Sequence, residues 1–158
     1  MRRVWQAYGE DRPLPGYLLA IGSYAVLVGA VTVAGRLTGV RLPERFSLAD
    51  TALVGVATHK ASRLLTKEAV TSPLRAPFTR YEEPEGHAEL KESVRSDHPA
   101  GHAIGELLTC PFCAGVWIAS GLTAGLVFAP RLTRLVSTAL TAVAASDALN
   151  LLYGNQKS

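Results

Sequence analysis

The residues with the clearest capacity for chemistry are two cysteines, Cys110 and Cys113, in a Cys-Pro-Phe-Cys sequence at the point where a loop enters an apolar segment. If a helix begins here, Pro111 suits its first turn, where backbone N–H groups have no partners, and Thr109 is the expected N-cap. If the helix begins earlier, Glu106 shares one face with both cysteines. The sequence leaves both registers open.

The cysteine pair admits three interpretations. Its sequence matches the dithiol of glutaredoxin-like oxidoreductases, although no βαβ pattern of such a fold surrounds it. Two thiolates with two imidazoles would complete a tetrahedral zinc shell, which gives a candidate metal site of Cys110, Cys113, His98 and His102, with Glu106 as a further possible ligand. The third interpretation is structural, with reduced cysteines serving as small packing residues at a helix junction.

Long stretches without charge show which elements position these residues. Hydrophobic residues make up 48% of the 158 residues, and the mean hydropathy is +0.18, which exceeds what a soluble domain of this size usually carries. We expect helices over about residues 16–38, 107–128 and 132–153, each long enough for a hydrocarbon core of about 30 Å. The first could also be a signal peptide, but it exceeds the usual apolar region of about 7–15 residues, so an uncleaved anchor is expected.

A further helix is expected over residues 48–66, opened by Ser47 and Asp50 as a capping pair. Polar residues recur along one of its sides at the helical period, so it either spans the bilayer with this stripe facing other helices or lies flat at the interface. We favour the first, because basic residues crowd at its far end, where they can snorkel. The predicted fold class is an all-α, polytopic membrane bundle of about four transmembrane helices, or three if this helix is interfacial.

The polar residues 67–103 are predicted to form a long loop within this single membrane domain. Residues 70–81 mix apolar side chains with Arg75 and Arg80, as is typical of an ordered segment near anionic lipid. Residues 82–99 are rich in glutamate and typical of a solvated linker with at most a short helix. No strand alternation is recognised.

Four spans would place both termini and the long loop on one side of the membrane. Ten lysines and arginines lie on that side and five on the other, so the positive-inside rule predicts that the termini and the loop are cytoplasmic. Basic residues are scattered at segment ends and form no stripe interleaved with aromatics, so nucleic acid is not an expected partner.

This topology gathers ionisable residues near the cytoplasmic ends of the helices. A lone carboxylate in hydrocarbon is costly, so Asp147 is expected to contact His59, Lys60 or Arg63. The cysteines are expected at the same depth. The candidate interaction surface comprises His59, Arg63, Arg75, Arg80, Glu106 and Asp147.

Three segments together resemble a known family. They are Thr-His-Lys-Ala-Ser-Arg-Leu at 58–64, Val-Thr-Ser-Pro-Leu-Arg-Ala-Pro-Phe-Thr-Arg-Tyr-Glu at 70–82, and Gly-Glu-Leu-Leu-Thr-Cys-Pro-Phe-Cys at 105–113. They resemble the small bacterial membrane proteins catalogued as domain of unknown function 1360, some of which are labelled sporulation proteins. The likeness covers about residues 50–151. It implies a multi-pass protein of the bacterial cell membrane whose three segments form one surface, and it carries over no catalytic residue.

These observations predict a scaffold or interaction protein with a cytoplasmic surface. Its expected partners are the lipid bilayer, anionic lipid head groups or another membrane protein. The alternative is a metal-binding protein, with zinc as the metal, or a thiol-redox protein that uses the Cys-Pro-Phe-Cys sequence.

Overall fold

The computed structural model describes residues 14–96 and 98–156. Four basic residues counted in the topology prediction, Arg2, Arg3, Arg12 and Lys157, lie outside the described residues. The elements in chain order are α1 (Leu14–Leu37), α2 (Leu48–Thr66), a 3-10 turn (Ala69–Thr71), α3 (Ser72–Arg75), β1 (Thr79–Pro84), β2 (Leu90–Val94), α4 (Pro99–Thr109), α5 (Pro111–Phe128) and α6 (Pro130–Asn155).

Three of the described helices, α1, α5 and α6, are long and apolar enough to cross a membrane. The helix α2 is not among them, because polar residues lower its hydropathy. Its start is as predicted: Asp50 donates its backbone N–H to the Ser47 hydroxyl. The structure is thus mostly helical and consistent with a membrane protein.

The first long helix, α1, runs parallel to α5. Near its start Gly16 packs against the α4 residue Pro99, and further along Tyr24 is hydrogen bonded to Ser120 at 2.7 Å. The Tyr24 ring also meets Trp117 edge to face, with 5.2 Å between the ring centroids. Near the end of α1, Gly35 lies next to Phe128 at the end of α5. Because the contacts of Tyr24 and Gly35 ascend in both helices, α1 and α5 point the same way.

The helices α2 and α6 also run parallel to each other, and opposite to α5. Asp50 near the start of α2 pairs with Arg134 near the start of α6 at 2.8 Å, and Lys60 further along pairs with Asp147. A single residue, Ala129, separates α5 from α6, which therefore turn back on each other. The four long helices alternate in direction along the chain.

The distribution of side chains is inverted relative to a water-soluble bundle. In the described part of the chain the buried apolar residues are few and small: Val54, Ala57, Ala103 and Ala114. Large apolar side chains point outward along α1, α5 and α6, including Ile21 at 65% and Val26 at 71% exposure. Such a continuous apolar exterior is not tolerated in water and is natural in lipid.

The expected linker over residues 82–99 is wrong, because β1 and β2 form an antiparallel hairpin there. The chain turns through Gly86 and Ala88, both with positive φ. Leu90, Glu92 and Val94 are the less exposed positions of β2. A carboxylate among the inward positions conceals the alternation that would have marked this strand.

The expected single helix over residues 107–128 is also corrected, since it begins at Pro111 and a separate helix, α4, precedes it. Cys110 between them is extended, with φ −109° and ψ 106°. A residue before proline is sterically pushed out of the helical region, which explains the break. Cys110, and not Thr109, is therefore the N-cap of α5.

Candidate functional site

Residues 67–96, which we call the cap, fold over the ends of the long helices and are organised by Arg75. Its guanidinium binds Glu92 through two parallel hydrogen bonds of 2.8 and 2.9 Å. Its Nη1 donates to the backbone carbonyls of Leu65 at 2.9 Å and Glu68 at 3.1 Å, and to the Thr71 hydroxyl at 2.7 Å. One side chain thus joins the last turn of α2, the 3-10 turn and the hairpin.

The burial of this pair corrects one predicted surface residue. Arg75 is completely buried and its partner Glu92 has a side chain only 4% exposed, so Arg75 does not contribute to an exposed interaction surface. Burial by itself would raise the pKa of Glu92, but the hydrogen bonds from Arg75 and Thr79 outweigh it and lower that pKa. The carboxylate stays ionised and keeps both guanidinium bonds.

A cleft of about 660 Å³ opens between α2, the tip of the hairpin and α6. On its wall the ammonium group of Lys60 lies between two carboxylates, those of Asp147, at 2.7 Å, and Glu68. Lys60 is 9% exposed. The predicted contact of Asp147 with a nearby cation is confirmed, and the cation is Lys60.

Further ion pairs fasten the hairpin tip to the end of α2. Arg63 donates to Glu89 at 2.9 Å, and Lys67 to Glu85 at 2.7 Å. Glu89 and Glu85 stand on opposite sides of the hairpin turn, so the tip is held at both ends. This is why the cap is an ordered lid over the helix ends and not a solvated loop.

Three of the six predicted surface residues, His59, Arg63 and Asp147, line this one cleft. Glu106 lies elsewhere, on α4, where its carboxylate is 3.5 Å from the His102 imidazole. Arg80 is exposed on β1.

The cysteine pair occupies the junction of α4 and α5. Cys110 is half-buried and its sulfur accepts a hydrogen bond from the backbone N–H of Cys113 at 3.3 Å, while Cys113 is exposed. Both thiols are free. The arrangement can support thiol chemistry at the entrance of an apolar helix.

The four residues expected to hold zinc are not brought together. His98 and His102 lie at the start of α4, and eight residues of helix, about 12 Å, separate His102 from Cys110. Over residues 14–96 and 98–156, no three histidine, cysteine or acidic side chains are grouped so that they could hold a metal ion. The donor set therefore does not fit a zinc centre.

Sequence reasoning missed the acidic partners Glu68, Glu89 and Glu92. Each lies eight or more residues from the cation it binds, so no local pattern connects the pairs. The available signal was that a segment rich in glutamate lies close in the sequence to Lys60, Arg63 and Arg75. Such a composition indicates that the acidic and basic side chains pair once the segment folds.

The fold and the cleft together define a class: helical proteins with three helices suited to crossing a membrane and a charged cap over one end of the helices. The chain belongs to the family described as "Protein of unknown function (DUF1360)", which matches residues 53–153 and so includes most of α2, the cap, the cysteine junction and most of α6. The resemblance expected from the sequence is confirmed.

A curated relative carries the name UPF0713 protein YngL and comes from Bacillus subtilis (strain 168). It is 28% identical over 92 residues, which cover 56% of this chain and 66% of the relative, just under two thirds of its length. No solved structure matches the chain.

Proposed function

We propose that the protein is a four-span component of the bacterial cell membrane whose cytoplasmic cap is an interaction surface for anionic lipid head groups. The observation that carries this proposal is the inverted side-chain distribution, with large apolar residues outside and small or polar residues inside. Most charged side chains of the cap are paired with one another or with α2. This pairing favours a scaffold or interaction role over catalysis.

The position of α2 supports a fourth span. Its 19 residues extend about 28 Å, close to the thickness of the hydrocarbon core. It contacts α6 from Asp50 near its start to Lys60 in its second half, and Thr58 packs against Gly115 of α5. A helix that follows two apolar helices along most of its own length crosses the same slab of lipid. Its polar stripe is acceptable because other helices cover it.

The charge distribution supports a cytoplasmic cap. Basic residues are twice as numerous on the side of the cap as on the other side, which the positive-inside rule associates with the cytoplasm. The cap is also joined to the end of α2 by the ion pairs of Glu68 with Lys60 and of Glu89 with Arg63, and Lys60 in turn pairs with Asp147 of α6. We therefore place the cap at the depth of the lipid head groups.

The cap carries exposed apolar and basic groups. Val70, Leu74 and Tyr81 are 76%, 64% and 56% exposed. Arg80, the residue before Tyr81 in β1, is exposed as well, on the other face of the strand. Tyr81 and the α3 residue Pro73 share a shallow cleft, which places β1 next to α3. Apolar side chains that enter the interface while an arginine meets phosphate are the usual means of binding an anionic membrane surface.

The test places the purified protein in nanodiscs of phosphatidylcholine, with or without phosphatidylglycerol. Because the native cysteines would also react, an environment-sensitive dye is attached to a Leu74→Cys variant in a Cys110→Ser, Cys113→Ser background. We expect the dye emission to shift to the blue with phosphatidylglycerol and to return at high salt, because screening weakens the attraction.

The test variant is Arg80→Gln and its matched control is Lys91→Gln. Each removes one positive charge from the hairpin. Arg80→Gln should abolish most of the shift, whereas Lys91→Gln should preserve it, since Lys91 is paired with Glu83 at 2.6 Å. An emission that is identical in both kinds of nanodisc would refute the lipid surface.

A further inference from the structure

The cysteine pair is arranged around the start of α5. Cys110 leaves the helical conformation and folds its sulfur back over the first turn of α5, where it accepts the N–H of Cys113. A sulfur that faces a backbone N–H at the positive end of an 18-residue helix is stabilised when it carries negative charge.

The junction is also open to a partner. Cys113 is exposed, and Phe112 between the two cysteines is 90% exposed. An uncovered aromatic side chain next to a free thiol offers apolar contact to a peptide that carries the second sulfur.

We propose that Cys110 and Cys113 form a thiol–disulfide exchange site that reduces peptide disulfides at the membrane surface, with Cys110 as the attacking sulfur and Cys113 as the resolving one. This activity goes beyond the lipid surface of the cap and uses none of its residues.

The reaction balances in two steps. The Cys110 thiolate attacks one sulfur of the peptide disulfide, forms a mixed disulfide and releases the other sulfur as a thiolate, which takes up a proton. Cys113 then loses its proton to solvent and attacks the Cys110 sulfur, which forms the Cys110–Cys113 disulfide and releases the second peptide sulfur as a thiolate, which takes up a proton. The peptide disulfide gains two electrons and two protons, and the protein dithiol loses the same.

The test treats the detergent-purified full chain with oxidised glutathione and follows its mass. We expect the wild type to lose two hydrogens and to release two glutathione molecules for each protein molecule. The Cys113→Ser variant should stop with one glutathione on Cys110, because it lacks the resolving thiol. Cys110→Ser is the matched control: serine is a good N-cap and keeps the helix start, yet this variant should form the adduct at least about tenfold more slowly.

Equal reaction of Cys110→Ser and Cys113→Ser would overturn the assigned roles. Failure of the folded wild type, verified by circular dichroism, to form the internal disulfide would overturn the site.

Discussion

Arg75 determines how the cap is attached to the helices, although nothing near it in the sequence distinguishes it from an exposed arginine. Its five hydrogen-bond donors point in fixed directions, and the fold supplies the Glu92 carboxylate, two carbonyls and a hydroxyl to meet them. A buried charge is tolerated only when it is paired and hydrogen bonded in this way. The cap therefore depends on one guanidinium.

Replacement of Arg75 by methionine should destabilise the cap by about 3–5 kcal/mol, because it leaves the Glu92 carboxylate buried and unpaired. Limited proteolysis of the protein in detergent, with cleavage followed in the hairpin, measures this effect. Arg80→Met is the control, since Arg80 is exposed and its loss should change stability by less than about 0.5 kcal/mol. Equal resistance of the two variants to protease would show that the buried pair does not hold the cap.

The same pair predicts a pH dependence. Because the pKa of Glu92 is lowered in the folded protein, its stabilising contribution is complete above its ordinary value of about 4.3 and is lost as the pH falls through the lower folded-state value. Hydrogen exchange of the β1 and β2 amides, corrected for the intrinsic rate, should be constant from pH 8 to 5 and should accelerate in more acidic solution. Arg75→Met should remove the acceleration in acid, because burial without the guanidinium raises the pKa of Glu92 and its protonation then favours the folded state. An unchanged profile in that variant would contradict the assignment.

Lys60 keeps two carboxylates, Glu68 and Asp147, from facing each other without a cation. Lys60→Met should lower the free energy of unfolding by about 1–3 kcal/mol, because both acids lose their partner. Asp147→Asn in the same chain should restore part of the loss. Thermal unfolding in detergent gives the comparison. The control is Lys91→Met, which breaks an exposed ion pair and should lower the free energy of unfolding by only about 0–1 kcal/mol. The prediction is wrong if the Lys60 variant unfolds no earlier than the Lys91 variant.

At the level of elements, the sequence was informative where a single local rule applied. Stretches with little or no charge located α1, α5 and α6, and Ser47 with Asp50 located the start of α2. It was uninformative where distant partners decide the structure: the inward Glu92 hides β2, and Pro111 both ends one helix and begins the next. The cleft was foreseen in part, because the cost of burying Asp147 demanded a cation, but the acids of the hairpin could not be assigned to it.

The contact of α1 with α4 depends on Gly16. A Cβ at this position would lie 2.1 Å from the carbonyl oxygen of Pro99, so Gly16→Ala must push the two helices apart and should cost about 1–3 kcal/mol. Gly22→Ala on the same helix is the control, because nothing lies within 4 Å of its added Cβ. Thermal midpoints of the two variants in detergent should differ, and identical midpoints would show that α1 does not depend on this close approach.

For the molecule as a whole, the proposal of a four-span bundle rests on the alternating helix direction, the apolar exterior and the cap at one end of the helices, where most of the ion pairs lie. The position of α2 is decisive. If α2 spans, the connector between α1 and α2 and the hairpin lie on opposite sides of the membrane. If α2 lies flat, they share a side.

Accessibility of single cysteines in intact cells tests this most directly. In a Cys110→Ser, Cys113→Ser background, Gly39→Cys in the connector should react with a membrane-impermeant maleimide added outside, whereas Glu83→Cys in the hairpin should react only after the membrane is opened. Labelling of both positions from the same side would contradict the four-span account.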